Sequence, residues 1–161
     1  MTRRLLVSVA VVVLCGACGD ADRRDPDVSG GVAAATHVLA EASLGPVQAT
    51  VRTDVTEPRF GDRFQVVLEI VHDSRVRLEP VEFTDRIGHF RRVGRKDPPR
   101  TRGGPVVYGL HVEPERTGTN IGKLPPIVFE VLKGEGVGTV QALHIPAFEM
   151  DVAGLAPDQR P

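Results

Sequence analysis

The residues that could do chemistry are few, and they are not grouped as catalysis or metal binding would require. The five histidines are His37, His72, His89, His111 and His144. None has a second histidine or a carboxylate at the spacing of a metal motif, so zinc binding would need His72, His89 and His111 to converge across a sheet. Between residues 45 and 152 the chain has one serine, Ser74, and no Gly-x-Ser-x-Gly sequence. The nucleophile turn of α/β-hydrolases is therefore missing. Because the sequence offers no nucleophile constellation and no ligand cluster, we expect no enzyme, and we predict no cofactor and no metal site.

Cysteine chemistry is confined to the amino terminus. A start containing Arg3 and Arg4 is followed by an apolar run over residues 5–14, which is shorter than the about 20 residues that span a bilayer. The run ends in Leu-Cys-Gly-Ala-Cys, residues 14–18, which resembles the bacterial lipoprotein signal. That resemblance implies that residues 1–17 are a signal peptide and that Cys18 carries the lipid. The alternative is an ordinary signal peptide cut nearby.

One run of positive charge stands out in a chain whose net charge is −1. It consists of Arg86, Arg91, Arg92, Arg95, Lys96, Arg100 and Arg102, which we call the basic segment. Only Asp97 opposes these charges within the segment. Such a patch suits an anionic partner, for example lipid head groups or an acidic protein surface, and the alternative is an edge strand protected from aggregation by its charge. The near balance of basic and acidic residues over the whole chain argues against nucleic-acid binding.

These residues must be positioned by strands, because helical periodicity is absent from residue 45 onward. Apolar residues alternate most clearly over residues 64–71, which predicts a strand with one face in a core. We expect Leu68 to be the most buried residue of this strand and Glu69 to face solvent. Further strands are predicted over 47–52, 76–83, 87–96, 106–112, 120–124, 127–132 and 137–152. The spacing of seven or eight short strands is typical of a β-sandwich.

The order of these features resembles the immunoglobulin-like repeats of the BatD (Bacteroides aerotolerance) family. The resemblance covers residues 45–152. It rests on the Gly61-Asp62 turn, a strand bearing Tyr108, the turn from Pro114 to Gly118, and Pro125-Pro126-Ile127. It implies an all-β, immunoglobulin-like β-sandwich of about seven to eight antiparallel strands. It also implies a scaffold that partners von Willebrand A-type envelope proteins, although the family's larger members have several repeats and a transmembrane anchor.

The predicted organisation has four parts: signal peptide 1–17, flexible tether 18–44, domain 45–152 and frayed tail 153–161. Residues 32–42 are rich in alanine, and they form either a short helix or a continuation of the tether. The predicted protein is non-enzymatic and lipid-anchored in the bacterial cell envelope, facing the periplasm or the exterior, where it docks another envelope or membrane protein. The alternative is an envelope protein that binds an anionic lipid, a glycan or a small molecule through the basic segment or a loop pocket.

Overall fold

The computed structural model describes residues 35–97 and 104–155, and every regular element within them is a β-strand. There are eleven: β1 His37–Leu44, β2 Val47–Thr53, β3 Phe64–His72, β4 Val76–Leu78, β5 Arg86–Ile87, β6 Phe90–Lys96, β7 Val106–Pro114, β8 Gly118–Gly122, β9 Ile127–Val131, β10 Val140–Leu143 and β11 Phe148–Val152. All pairs of these strands are antiparallel. The all-β prediction is confirmed.

The strands form three sheets around one hydrophobic core. The largest sheet has the order β1-β2-β3-β7-β6-β5, and it is accompanied by the sheets β10-β9-β4 and β11-β8. Apolar side chains from all three sheets belong to a single buried cluster. Because neither a sheet nor a short hairpin can bury its apolar face alone, this shared core gives the protein its sandwich-like architecture.

Strand β3 lies in the middle of the large sheet, between β2 and β7. Leu68 is fully buried, with Val51 and Tyr108 as its cross-strand neighbours. Its assignment to the core face is therefore confirmed. The opposite face is also covered near its centre, where Gln65 and Val67 are buried. Gly109 lies beside them and leaves room for the Gln65 side chain, whose amide nitrogen would be 2.8 Å from a Cβ at that glycine.

The ordered structure begins before residue 45, the start predicted for the domain. Strand β1 occupies residues assigned to the flexible tether, and it pairs with β2 along its whole length. The proposed helix within residues 32–42 is likewise replaced by strand from His37 onward. The sequence did not predict this strand because the side chains of β1 are mostly small or exposed and show no clear alternation. Backbone hydrogen bonds to β2 stabilise it instead of a buried apolar face.

Two predicted strands are each divided in the structure. The predicted strand 87–96 contains the turn of a hairpin: Ile87 ends β5, Gly88 and His89 form the turn, and β6 follows. The predicted strand 137–152 is two strands in different sheets, β10 and β11, with Pro146 between them. Pro125-Pro126 likewise separates β8 from β9, which belong to different sheets. Each proline lacks the N–H group that continued pairing would use.

The turn between β5 and β6 connects the large sheet to the two-stranded sheet. The backbone N–H of His89 donates to the carbonyl of Ile121 at 2.9 Å, and the Ile121 N–H donates back to Nδ1 of His89 at 3.0 Å. The approach is close enough that a Cβ at Gly88 would lie 2.1 Å from the Ile121 carbonyl oxygen. Gly88 also has φ +63°, so glycine is required here for both space and conformation.

Candidate functional site

The structure brings carboxylates to the basic segment that the sequence does not show beside it. Four of its arginines form ion pairs: Arg86 with Glu115 at 3.1 Å, Arg92 with Asp85 at 3.3 Å, Arg91 with Glu113, and Arg95 with Asp97. The two glutamates come from β7 and the turn after it, which lie next to β6 in the sheet. The described part of the segment is therefore a set of ion pairs. Arg100 and Arg102 lie outside the described residues, as does Cys18.

A bulge in β6 divides the arginines between two faces. Arg92 is opposite Val112 and Arg95 is opposite Leu110, whereas Gly94 is opposite His111, with a register shift between Arg92 and Gly94. Because Val112 and Leu110 are core residues, the two arginines project on the core side of the sheet. Their side chains are only 20% and 30% exposed.

Arg95 covers an aromatic pair at the edge of the core. Its guanidinium lies 5.2 Å from the centre of the Phe83 ring and 5.5 Å from that of Tyr108, distances at which a cation is attracted to a ring face. The Tyr108 hydroxyl accepts a hydrogen bond from the Val81 N–H at 3.3 Å. These contacts give Arg95 a role in the structure.

Arg91 differs, because it lies on the outer face and is 61% exposed. It shares Glu113 with Arg63. Hydrogen bonds from Arg91, and secondarily from Arg63, lower the pKa of Glu113, and the bond to Glu113 raises the pKa of Arg91. Arg91 is therefore held on the outer face by a carboxylate that it shares with Arg63.

The histidines do not form a site within the described residues. His111 is opposite Gln65, whereas His72 lies seven residues further along β3, a separation of about 23 Å in a strand. His89 is engaged by Arg116 at 2.8 Å in addition to Ile121. Over residues 35–97 and 104–155, no group of three or more His, Cys, Asp and Glu side chains could hold a metal ion.

The two edges of the large sheet are different in character. At one edge, β6 carries arginines, a bulge and the short strand β5. At the other edge, β1 has eight residues, mostly exposed, and Glu41 is its only Asp, Glu, Lys or Arg. Edge strands are usually protected by charge, bulges or covering segments, since unpaired backbone groups can accept another strand. The β1 edge has a register shift at Leu39 but little charge.

A groove lies between this edge and the two-stranded sheet, and we call it the β1–β11 groove. It is lined by residues 37–39 of β1, by Thr53 and residues 55–57 after β2, and by residues 149–153 along and after β11, and its volume is about 690 Å³. Successive residues of a strand face opposite ways, so a surface touched by all of residues 149–153 is the edge of β11. This strand pairs with β8 alone among the described strands. Sequence reasoning missed the groove because its walls are over 100 residues apart in the chain.

Comparison of the chain with protein-family models, with curated proteins and with solved structures finds no match. Among the residues that the structure describes, no helix is long and apolar enough to cross a membrane.

Proposed function

We propose that this protein is a non-enzymatic, lipid-anchored module of the bacterial cell envelope that docks another envelope protein through a sheet edge. Cys18 is the proposed lipid attachment site. The immunoglobulin-like topology and the kinship with BatD repeats belong to the same proposal, and they would make a von Willebrand A-type protein a candidate partner.

The observation that carries the proposal is the β1 edge. Strand β1 is the outermost strand of a six-stranded sheet and carries a single charge along eight residues. An extended segment of another protein can add to such an edge through main-chain hydrogen bonds, while alternate side chains supply specificity. At the opposite edge the arginines are engaged by carboxylates, which supports a role there in protecting the sheet.

The test is photocrosslinking in the native host. A photoreactive amino acid replaces Glu41 or Ser43 on β1, and in the control it replaces Glu135 in the turn between β9 and β10. We expect one discrete adduct with an envelope protein from the β1 positions and none from the control. Absence of any adduct from β1, together with a small molecule or lipid retained in native mass spectra of the purified protein, would favour the ligand-binding alternative.

A further inference from the structure

We infer that the β1–β11 groove binds an extended, positively charged segment of the partner protein. This inference rests on the proposed function and names the surface and the chemistry of the partner. The groove offers strand edges on two sides, since residues 37–39 of β1 and residues 149–152 of β11 each line it consecutively. An unpaired strand edge presents N–H and C=O groups that an extended peptide can satisfy.

The dimensions of the groove suit a short strand. The β11 edge is five residues long, which corresponds to about 17 Å of extended chain. The half-buried apolar residues Leu39 and Val55 are among those that line the groove, which suits a bound strand whose alternate residues are apolar and face inward. The groove ends at Ala153, whose backbone N–H donates to the carbonyl of Pro58 and whose carbonyl accepts from the N–H of Phe60.

The charge of the groove selects the partner. Its lining contains the carboxylates Glu57, Glu149 and Asp151, and it contains neither Lys nor Arg. Glu57 and Glu149 form no ion pair with any described residue, and Asp151 accepts only the hydroxyl of Thr119, at 2.8 Å. In contrast, the four arginines of the basic segment that the structure describes all form ion pairs. The charge that the groove offers to a partner is negative. Complementarity therefore favours lysine or arginine at the outward positions of the bound strand.

The experiment titrates the full Cys18→Ser chain, kept in detergent, with a labelled heptapeptide in which three lysines alternate with apolar residues. We expect saturable binding by fluorescence anisotropy, with NMR shifts concentrated in residues 37–39 and 149–153. The double variant Glu57→Lys, Glu149→Lys should weaken binding about tenfold, since two exposed charge pairs change from attraction to repulsion. The matched control, Glu79→Lys with Glu135→Lys, changes the net charge equally outside the groove and should leave the affinity unchanged.

Two further peptides separate charge from strand pairing. A peptide with glutamate in place of lysine should bind at least about tenfold more weakly than the lysine peptide, for the same electrostatic reason. A lysine peptide interrupted by proline should also lose affinity, because proline lacks a backbone donor.

Four results would overturn the inference: no binding, equal weakening by the control variant, shifts centred on β6, or binding that appears only when Arg23 and Arg24 are replaced by Glu. The last result would mean that the chain's own tether occupies the groove. If the peptide fails but photocrosslinking from β1 still captures one envelope protein, the proposed function stands and the groove assignment alone is wrong.

Discussion

Leu68 and Glu69 are neighbours on β3 in opposite surroundings. Leu68 is fully buried between β2 and β7, whereas the Glu69 side chain is 34% exposed and lies 3.8 Å from Arg52. We expect Leu68→Ala to cost about 2–5 kcal/mol, because it removes apolar contacts and leaves a cavity. Glu69→Ala should cost about 0.5 kcal/mol, since an exposed ion pair contributes little. Urea denaturation of both variants measures the two costs, and equal values would contradict the assigned faces.

Gly88 and Gly45 allow strain and steric overlap to be separated. Both have positive φ, +63° and +56°, but a Cβ at Gly45 would meet nothing within 4 Å, whereas one at Gly88 would meet the Ile121 carbonyl oxygen. Gly45→Ala should therefore cost only the left-handed conformation, about 1–2 kcal/mol. Gly88→Ala should cost about 4 kcal/mol or more, as measured by chemical denaturation. Similar costs at the two sites would show that the turn between β5 and β6 is not held against β8.

Glu113 gives the domain a specific acid response. Its pKa in the folded protein is lowered, first by the hydrogen bond from Arg91 and then by that from Arg63. Because the pKa is lower in the folded protein, ionised Glu113 stabilises the fold at pH values above its pKa in the unfolded chain, about 4.3. This stabilisation is lost as the pH falls through the pKa of the folded protein. Wild type should therefore exceed Glu113→Gln in unfolding free energy at neutral pH, and the difference should shrink below about pH 4. Urea denaturation at several pH values tests this, and a difference independent of pH would contradict it.

At the scale of elements, the bulge in β6 decides which arginines are structural. It places both Arg92 and Arg95 on the core side, although they are three positions apart in the chain, while Arg91 stays on the outer face. In a regular strand, residues three apart would face opposite ways. Because of the bulge, Arg92 and Arg95 lie against the edge of the core, although the sequence places them in a run of charged residues.

Arg95→Ala and Arg91→Ala test this division. Loss of Arg95 removes packing and a cation over two rings, and we expect a cost of about 1–2 kcal/mol. Loss of Arg91 should cost less than loss of Arg95, because the Arg91 side chain is largely exposed and Arg63 still contacts Glu113. Denaturant midpoints of the two variants, measured in parallel, provide the comparison. A larger cost at Arg91 would place the stabilising arginine on the outer face.

At the scale of the whole molecule, the proposed attachment to a membrane rests on a few residues far from the sandwich in sequence. The positive start, the apolar run over residues 5–14 and the small residues before Cys18 support lipidation at that cysteine. The domain would then be held by a chain segment that ends where β1 begins at His37. The proposed docking edge would therefore be the first described strand after the proposed tether.

Cys18→Ser should abolish attachment to membranes or block removal of the signal, because serine lacks the thiol that receives the lipid. Fractionation and immunoblotting of cells that make the wild type and the variant measure this directly. Cys15→Ser is the matched control and should leave both attachment and processing intact. A Cys18→Ser protein that is processed and still membrane-bound would contradict the lipoprotein assignment.

The sequence alone determined the all-β class and the burial of Leu68, since the alternation of apolar residues is a local property of the chain. It missed β1, because an edge strand with small side chains is stabilised by its neighbour β2 rather than by its own periodicity. Only the tertiary structure decided the state of the basic segment. Glu113 and Glu115 are distant from Arg91 and Arg86 in sequence, and strand pairing makes them ion-pair partners. Ion pairs and strand pairs join residues that are distant in the chain. A sequence with a run of seven cations can therefore fold into a domain with an acidic groove between β1 and β11.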